Sequence, residues 1–258
     1  MIRPLLLAVF IGVLAASAHA TFTVQIDYTG DSQYESYFDD AASTWEGLLV
    51  DYQGGDSQNV VIAANISYID GAYGILGSAG PTAGRYSTAS FVITTAGQMT
   101  FDSADADRLI TDGTFGDVVL HEMAHVLGFG TWWNYNSVYV DGSGEFTGAN
   151  ATAYWQSEFG QTGTPDVELG GNPGTKDGHW NEVDLGAGLT GITDGLGRDM
   201  RDELMTGWLN GNSFISDMTI ASFVDIGFVG SLSSIPEVSS FLTLGLVFGG
   251  VAFKRRRR

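Results

Sequence analysis

His121-Glu122-Met123-Ala124-His125-Val126-Leu127-Gly128-Phe129-Gly130 is the stretch on which the reading of this chain turns. On a helix, residues four apart project from one face, so His121 and His125 can offer ring nitrogens to one metal ion. Glu122 lies beside them, where a carboxylate can take a proton from a metal-bound water. Chance is a poor rival: with 4 histidines and 9 glutamates in 258 residues, the pattern is expected roughly 0.002 times per chain. Val118, Val119, Leu120, Met123, Ala124, Val126 and Leu127 predict a buried helix that holds the pair rigidly. Thr114-Phe115-Gly116-Asp117 fits a capping box at its start, and Gly128 with Gly130 predicts a sharp stop.

Working outward, Phe22 to Ile26 alternates like a strand, and residues 35–49 place Phe38, Ala41, Ala42, Trp45, Leu48 and Leu49 at helical spacing. Residues 59–69 predict a second strand, 71–84 a glycine-rich loop, and 87–101 one or two further strands. A helix is expected to start near Asp105. This order predicts an α+β fold, a mixed twisted sheet with helices packed on it. Past the histidine helix, residues 131–178 read as loop-rich, with Trp132, Trp133 and Tyr135 lining a cleft or packing in a core. A short helix is expected over 219–228, and there is no internal repeat.

Both ends point to export. Arg3, an apolar run from Leu5 to Leu14 and Ala18-His19-Ala20 make residues 1–20 a secretory signal peptide, cut by signal peptidase before Thr21. From Ile235 an apolar stretch runs to Phe253, followed by Lys254 and four arginines, a stop-transfer pattern that places the segment in a membrane. With Pro236-Glu237-Val238 ahead of it, this tail resembles the PEP-CTERM sorting signal, which implies processing by an exosortase at the cell envelope; the departure at Val238 leaves an uncleaved anchor open. Between residues 21 and 234 only 5 basic residues face 29 acidic ones, a net charge near −24. Such a surface excludes nucleic acid and anionic lipid as partners. Asp102, Asp105 and Asp107 are candidates for Ca2+, with capping and solvation of a helix start as the plainer reading. There is no cysteine, so no disulfide holds this exported body.

A metal that activates water needs a third protein ligand and an open position. In the compact pattern of metzincin peptidases a histidine follows six residues after the second one; here that position is Thr131. His19 leaves with the signal, so His179 is the one imidazole left, with Glu145, Glu158 and Glu182 as competing carboxylates. The helix motif, then His179-Trp180-Asn181-Glu182, then Asp202-Glu203-Leu204-Met205-Thr206-Gly207 together resemble the leishmanolysin-type metzincin metallopeptidases. The resemblance runs from about Phe22 to Val229. It includes residues 101–105 ahead of the helix and 219–227 at the end. It implies a metzincin-like zincin whose N-terminal lobe (residues 21–130) carries the active-site helix. A loop-rich C-terminal lobe (131–234) would carry the third ligand, and the sorting segment follows (235–258). It implies one catalytic Zn2+ on His121, His125 and His179, Glu122 as general base, and Met205 in a methionine turn, with Met200 as a rival.

The implied activity is hydrolysis of peptide bonds in a protein or peptide substrate. The substrate would pair with an edge strand, expected within 87–100. A strand starting at Phe22 leaves no room for a propeptide, so the enzyme is expected to be active on export or restrained by a separate inhibitor. The reading from another class is a non-catalytic envelope or extracellular-matrix adhesion protein that keeps the zinc-bound fold; intact Glu122 speaks against it. A zinc hydrolase acting on something other than peptides is disfavoured by the resemblance alone.

Overall fold

Three parallel strands rich in apolar and β-branched residues form the floor of the molecule. They are β1 (Phe22–Thr29), β3 (Gln58–Ser67) and β5 (Val92–Asp102), and the edge strand β4 (Gly77–Tyr86) runs antiparallel to β5, giving the order β1-β3-β5-β4. The structure, a computed structural model, describes residues 22–182 and 188–232. The signal peptide and the sorting segment read from the sequence lie outside the described residues. Along β1 the inward positions Phe22, Val24, Ile26 and Tyr28 pack on the core. β5, flanked on both sides, is buried along nearly its whole length, as an interior strand requires.

Helix α1 (Glu35–Leu48) buries Phe38, Ala41, Ala42 and Trp45. The Trp45 indole donates to Leu120 O at 3.0 Å, pinning α1 to the histidine helix α3 (Phe115–Leu127). α2 (Ala106–Asp112) precedes it. The expected capping box is not made: neither Asp105 nor Thr114 caps its helix through the side chain. The fold is therefore mixed α+β with helices on a mixed sheet, as the element order predicts.

The edge strand is not where the sequence placed it. Residues 87–100 fall largely in the interior strand β5, and the run read as a glycine-rich loop supplies β4, Gly-Ser-Ala-Gly-Pro-Thr-Ala-Gly-Arg-Tyr. Glycine and proline are depleted in strands and so hide one. Pro81 is tolerated because an edge strand has one side without a ladder, and the register shifts beside it, between Pro81 and Ala83 and between Ala83 and Gly84.

The loop leading into β4 explains the acids expected to hold calcium or cap a helix. Asp102 Oδ2 accepts from the backbone N–H of Ile69, Asp70 and Gly71 at 3.2, 2.8 and 2.8 Å, and Oδ1 accepts from Ala104 N at 2.8 Å. Asp105 accepts from Tyr73 N and pairs with Arg108 at 2.5 Å, while Asp107 accepts from the Tyr34 hydroxyl at 2.6 Å. These carboxylates are committed to amides, a guanidinium and a phenol, and they pin the loop that sets β4 in place.

The second half of the chain folds back on the first. β2 (Leu49–Tyr52) pairs antiparallel with β6 (Phe228–Gly230), and α5 (Asp217–Asp225) packs on α4 (Ala149–Glu158). The helix expected over 219–228 is thus α5 followed by a short strand. α4 lies inside the stretch read as loop; only Ala151, Tyr154 and Trp155 of it are buried, too few to leave a periodic signature. The loops around it are organised by rings: Phe129, Trp133, Phe146 and Trp180 pack at centroid distances of 4.6–5.4 Å. Trp133 is thereby a core residue; Trp132 is partly buried, and Tyr135 is exposed. No helix among the described residues is long and apolar enough to cross a membrane.

Asp102 is held ionised. The N–H of Ala104, then those of Gly71, Asp70 and Ile69, keep its carboxyl below the ordinary value of 3.8 against the opposing effect of burial. A depressed folded-state pKa stabilises fully above the unfolded value and is lost as pH falls through the folded one. Asp102→Asn is therefore expected to be less stable than the parent at pH 7 and to converge on it below pH 3.8. Thermal melts across pH would show this; a constant gap at all pH values would be inconsistent with it.

Candidate metal centre

Two turns of α3 carry His121 and His125 on one face, and a distant loop delivers His179 against them. The three Nε2 atoms stand 3.0 Å (121–179), 3.1 Å (121–125) and 3.0 Å (125–179) apart. Each Nδ1 faces a backbone carbonyl: His121 meets Leu204 O at 2.7 Å, His125 meets Phe129 O at 3.0 Å, and His179 meets Thr175 O at 2.8 Å. A carbonyl can only accept, so each Nδ1 carries the proton and donates, and each Nε2 is left with a bare lone pair. Burial, and next the proximity of His125, lower the His121 pKa to about 3, and burial moves those of His125 and His179 down as well. Three neutral imidazoles thus aim three lone pairs at one point. Among themselves they only repel; a cation between them resolves the arrangement. They are close enough to hold a metal ion.

Local sequence accounts for each placement. Gly128, at φ 127°, ends α3 and lets the chain fold back so that Phe129 O reaches His125. Thr131, at the position where a compact site would have its ligand, instead donates its hydroxyl to His125 O at 2.8 Å. Gly130 is the crossing point for the loop that carries His179: at φ 71°, a Cβ there would lie 2.6 Å from Gly178 O. Only glycine lets the backbone beside His179 approach so closely.

A buried carboxylate couples the two sides of the centre. Glu203 Oε2 accepts from Met205 N at 2.6 Å; Oε1 accepts from Ser216 N, the Ser216 hydroxyl and the Thr219 hydroxyl at 3.1, 2.8 and 2.5 Å. Leu204, between Glu203 and Met205, is the residue whose carbonyl orients His121. Thr219 also receives the Trp180 indole N–H at 2.8 Å, and Trp180 N donates to Met205 O at 3.0 Å. One acid therefore fixes the partner of His121 and the neighbour of His179. Burial pushes its carboxyl up and these donors pull against that.

Glu122 points from α3 toward Gly77 of β4. A Cβ on Gly77 would lie 2.9 Å from Glu122 Cγ and 3.1 Å from Oε1. Burial raises the Glu122 carboxyl to about 8, and no hydrogen bond holds it among the described residues. Met205 is fully buried within the turn that supports His121; Met200 is buried in a 3₁₀ turn (Met200–Asp202) ahead of it.

Of the residues singled out from sequence, His121, His125 and His179 come together with Glu122 alongside. The competing carboxylates do not join them. Glu158 accepts from Asp217 N and Met218 N at the start of α5, Glu145 sits in an isolated bridge with Asp166, and Glu182 lies three residues beyond His179. What sequence reasoning missed is the set of carbonyls, which no side-chain motif can show, and Gly77, hidden in the glycine-rich run. No known protein-family model matches this chain, and no curated protein does.

Because Glu203 acts through the backbone of Leu204 and Met205, Glu203→Gln would put an amide where an acceptor is needed. Metal affinity, measured by competition with a chelator, is expected to fall about 10- to 100-fold, the range for groups that orient a ligand. A melt in parallel separates this from unfolding. Unchanged affinity in a folded variant would contradict the coupling.

Proposed function

We propose that this chain is an exported, zinc-dependent endopeptidase of the leishmanolysin-like metzincin type, with His121, His125 and His179 holding the ion and Glu122 as general base. The observation that carries the reading is the convergence of three bare Nε2 lone pairs beside a carboxylate that makes no other bond. Imidazole-only donor sets suit zinc and its transition-metal neighbours, and three protein ligands with a free position are the catalytic form. Tetrahedral Zn–N bonds of about 2.0–2.1 Å put nitrogens about 3.3 Å apart, close to the 3.0–3.1 Å spacing here.

When bound, zinc supplies a Lewis acid that polarises the scissile carbonyl and lowers the pKa of water toward neutrality. The chain's own residues do the rest. Glu122, its raised carboxyl returned to the ionised form by the cation beside it, takes one proton from the water as the water's oxygen bonds to the peptide carbonyl carbon. It then hands that proton to the amide nitrogen as the C–N bond breaks. His121, His125 and His179 stay neutral because each Nδ1 proton is held by its carbonyl, so none competes for the transferred proton. The outer side of β4 gives an extended substrate a strand to pair with, and Gly77 lets that strand run close over Glu122. Met205, in the turn carrying Leu204, is the methionine-turn residue of this reading. Export to the cell envelope, with the 235–258 segment as the sorting or anchoring signal, belongs to the same proposal.

Casein or gelatin cleavage with and without a chelator, on the intact protein and on Glu122→Ala, tests the assignment. Expected are chelator-sensitive cleavage, a loss of about 10²- to 10⁴-fold in Glu122→Ala, and one zinc per chain retained by that variant in elemental analysis. Absence of any chelator-sensitive cleavage by the intact protein favours a non-catalytic adhesion role.

Gly77→Ala provides a finer check. The new methyl group would collide with Glu122 rather than with any imidazole, so kcat is expected to drop while metal affinity stays at the parental value. Loss of metal in this variant would contradict that separation of roles between Gly77 and the imidazoles.

A further inference from the structure

Behind the third histidine lies a group of oxygens that the proposed reaction does not use. Glu168 and Glu182 are 8% and 5% exposed, and neither has a salt bridge among the described residues. Burying two carboxylates together without a counter-charge is expensive. Burial, then the Glu168 charge, push the Glu182 carboxyl up to about 7. Glu182 Oε1 is buried with no hydrogen-bond partner, and Oε2 has only a long contact from Gly207 N at 3.4 Å. Between the two acids stands Asn181, whose carboxamide oxygen faces Glu168 Oε2 at 3.0 Å and Glu182 O at 3.1 Å. Three acceptors meet with no hydrogen among them. Turning the amide over would satisfy those two contacts. It would leave both buried charges and the orphaned Glu182 Oε1 as they are.

We propose that Glu168 Oε2, Asn181 Oδ1, the Glu182 main-chain oxygen and Glu182 Oε1 form a calcium site that braces the loop carrying His179. One hard dication answers the oxygen mismatches together: it neutralises the two carboxylates, accepts the amide oxygen as it stands and gives Oε1 a partner. Carboxylate, amide and main-chain oxygens are the donors calcium takes, with waters completing six to eight ligands. Asn181 is exposed and leaves room for them. The donor set holds no nitrogen or sulfur, so it selects against the ions that imidazoles prefer. Its placement gives it a task. Glu168 N donates to His179 O at 2.9 Å, and Asn181 N donates to Asp166 O at 2.9 Å. An ion here fastens the segment on either side of the third ligand. In a chain with no cysteine, it is the kind of brace an exported protein takes up from its surroundings, with affinities of about 10⁻⁴–10⁻³ M typical of extracellular modules.

The test uses the full chain with Glu122→Ala, so that self-cleavage does not interfere and loss of peptidase activity has no bearing on the result. CaCl2 is titrated by calorimetry and by thermal melting, and Tb3+ by luminescence sensitised through Trp180, which adjoins Asn181. The expected result is one calcium per chain, a melting point raised by several degrees and a weaker response to Mg2+ at equal concentration. Glu168→Gln and Glu182→Gln should each weaken calcium binding at least tenfold, and Asn181→Ala serves where either fails to fold. Three results overturn the proposal: no calcium response in the parent, a response that survives all three substitutions, or a calcium-blind parent that Glu182→Gln stabilises. The last would show two carboxyls sharing a proton.

Discussion

Each of the three histidines is fixed by a hydrogen bond from Nδ1 to a backbone carbonyl, and the rest of the molecule is arranged around that requirement. The bond sets the tautomer, so the lone pair must appear at Nε2; it sets the ring plane, so the lone pairs must converge. The three carbonyls come from separate places: Leu204, Phe129 and Thr175. Bringing them to one point obliges the chain to turn back at Gly128, to cross itself at Gly130 and Gly178, and to lay the 203–207 turn beneath α3. Regular secondary structure supplies only α3. The other two supports are loops, and loops hold a position only if something holds them.

Glu203 does much of that holding. It gathers donors from Met205, Ser216 and Thr219 into one buried carboxylate, and through Thr219 it reaches the Trp180 indole. Trp180 in turn stands in the ring cluster with Phe129, Trp133 and Phe146, and Phe129 supplies the carbonyl for His125. The polar link and the aromatic cluster therefore meet at the same two residues. A displacement at any one histidine is resisted by the supports of the other two.

How much of this the sequence discloses depends on the kind of signal. Periodicity disclosed α1 and α3, because their buried positions recur at helical spacing; alternation disclosed β1, and a run rich in Val and Ile disclosed β3. It failed for β4, whose glycines and Pro81 read as loop, and for α4, which buries one narrow face. The histidines were legible because side-chain type and spacing define a ligand set; His179 was legible because few imidazoles remain to choose from. Gly77, Gly130 and the three carbonyls were not. Their roles come from what approaches them in space, and neither a missing side chain nor a main-chain oxygen leaves a mark in a pattern of residue types.

The acidic composition has a structural side that net charge alone conceals. With 5 basic residues against 29 acidic ones between residues 21 and 234, most carboxylates cannot be neutralised by salt bridges. The buried and half-buried ones turn to backbone N–H groups instead. Asp102 gathers the 69–71 loop, Asp225 receives Asn150 and Ala151 at the start of α4, and Glu158 receives Asp217 and Met218 at the start of α5. Asp199 does the same for Thr190, Gly191 and Arg201. An ionised acceptor on several amides makes bonds about twice as strong as neutral ones, and at helix starts it also meets the positive end of the dipole. These acids act as the cross-links of a glycine-rich chain that has no disulfides. Glu182 departs from the rule: it is buried beside Glu168, whose Oε1 does accept from Gly170 N, yet it has one oxygen without a donor and the other with a distant one. In a molecule that finds amides for its other buried acids, Glu168 included, that exception is what singles Glu182 out as built for something other than an N–H.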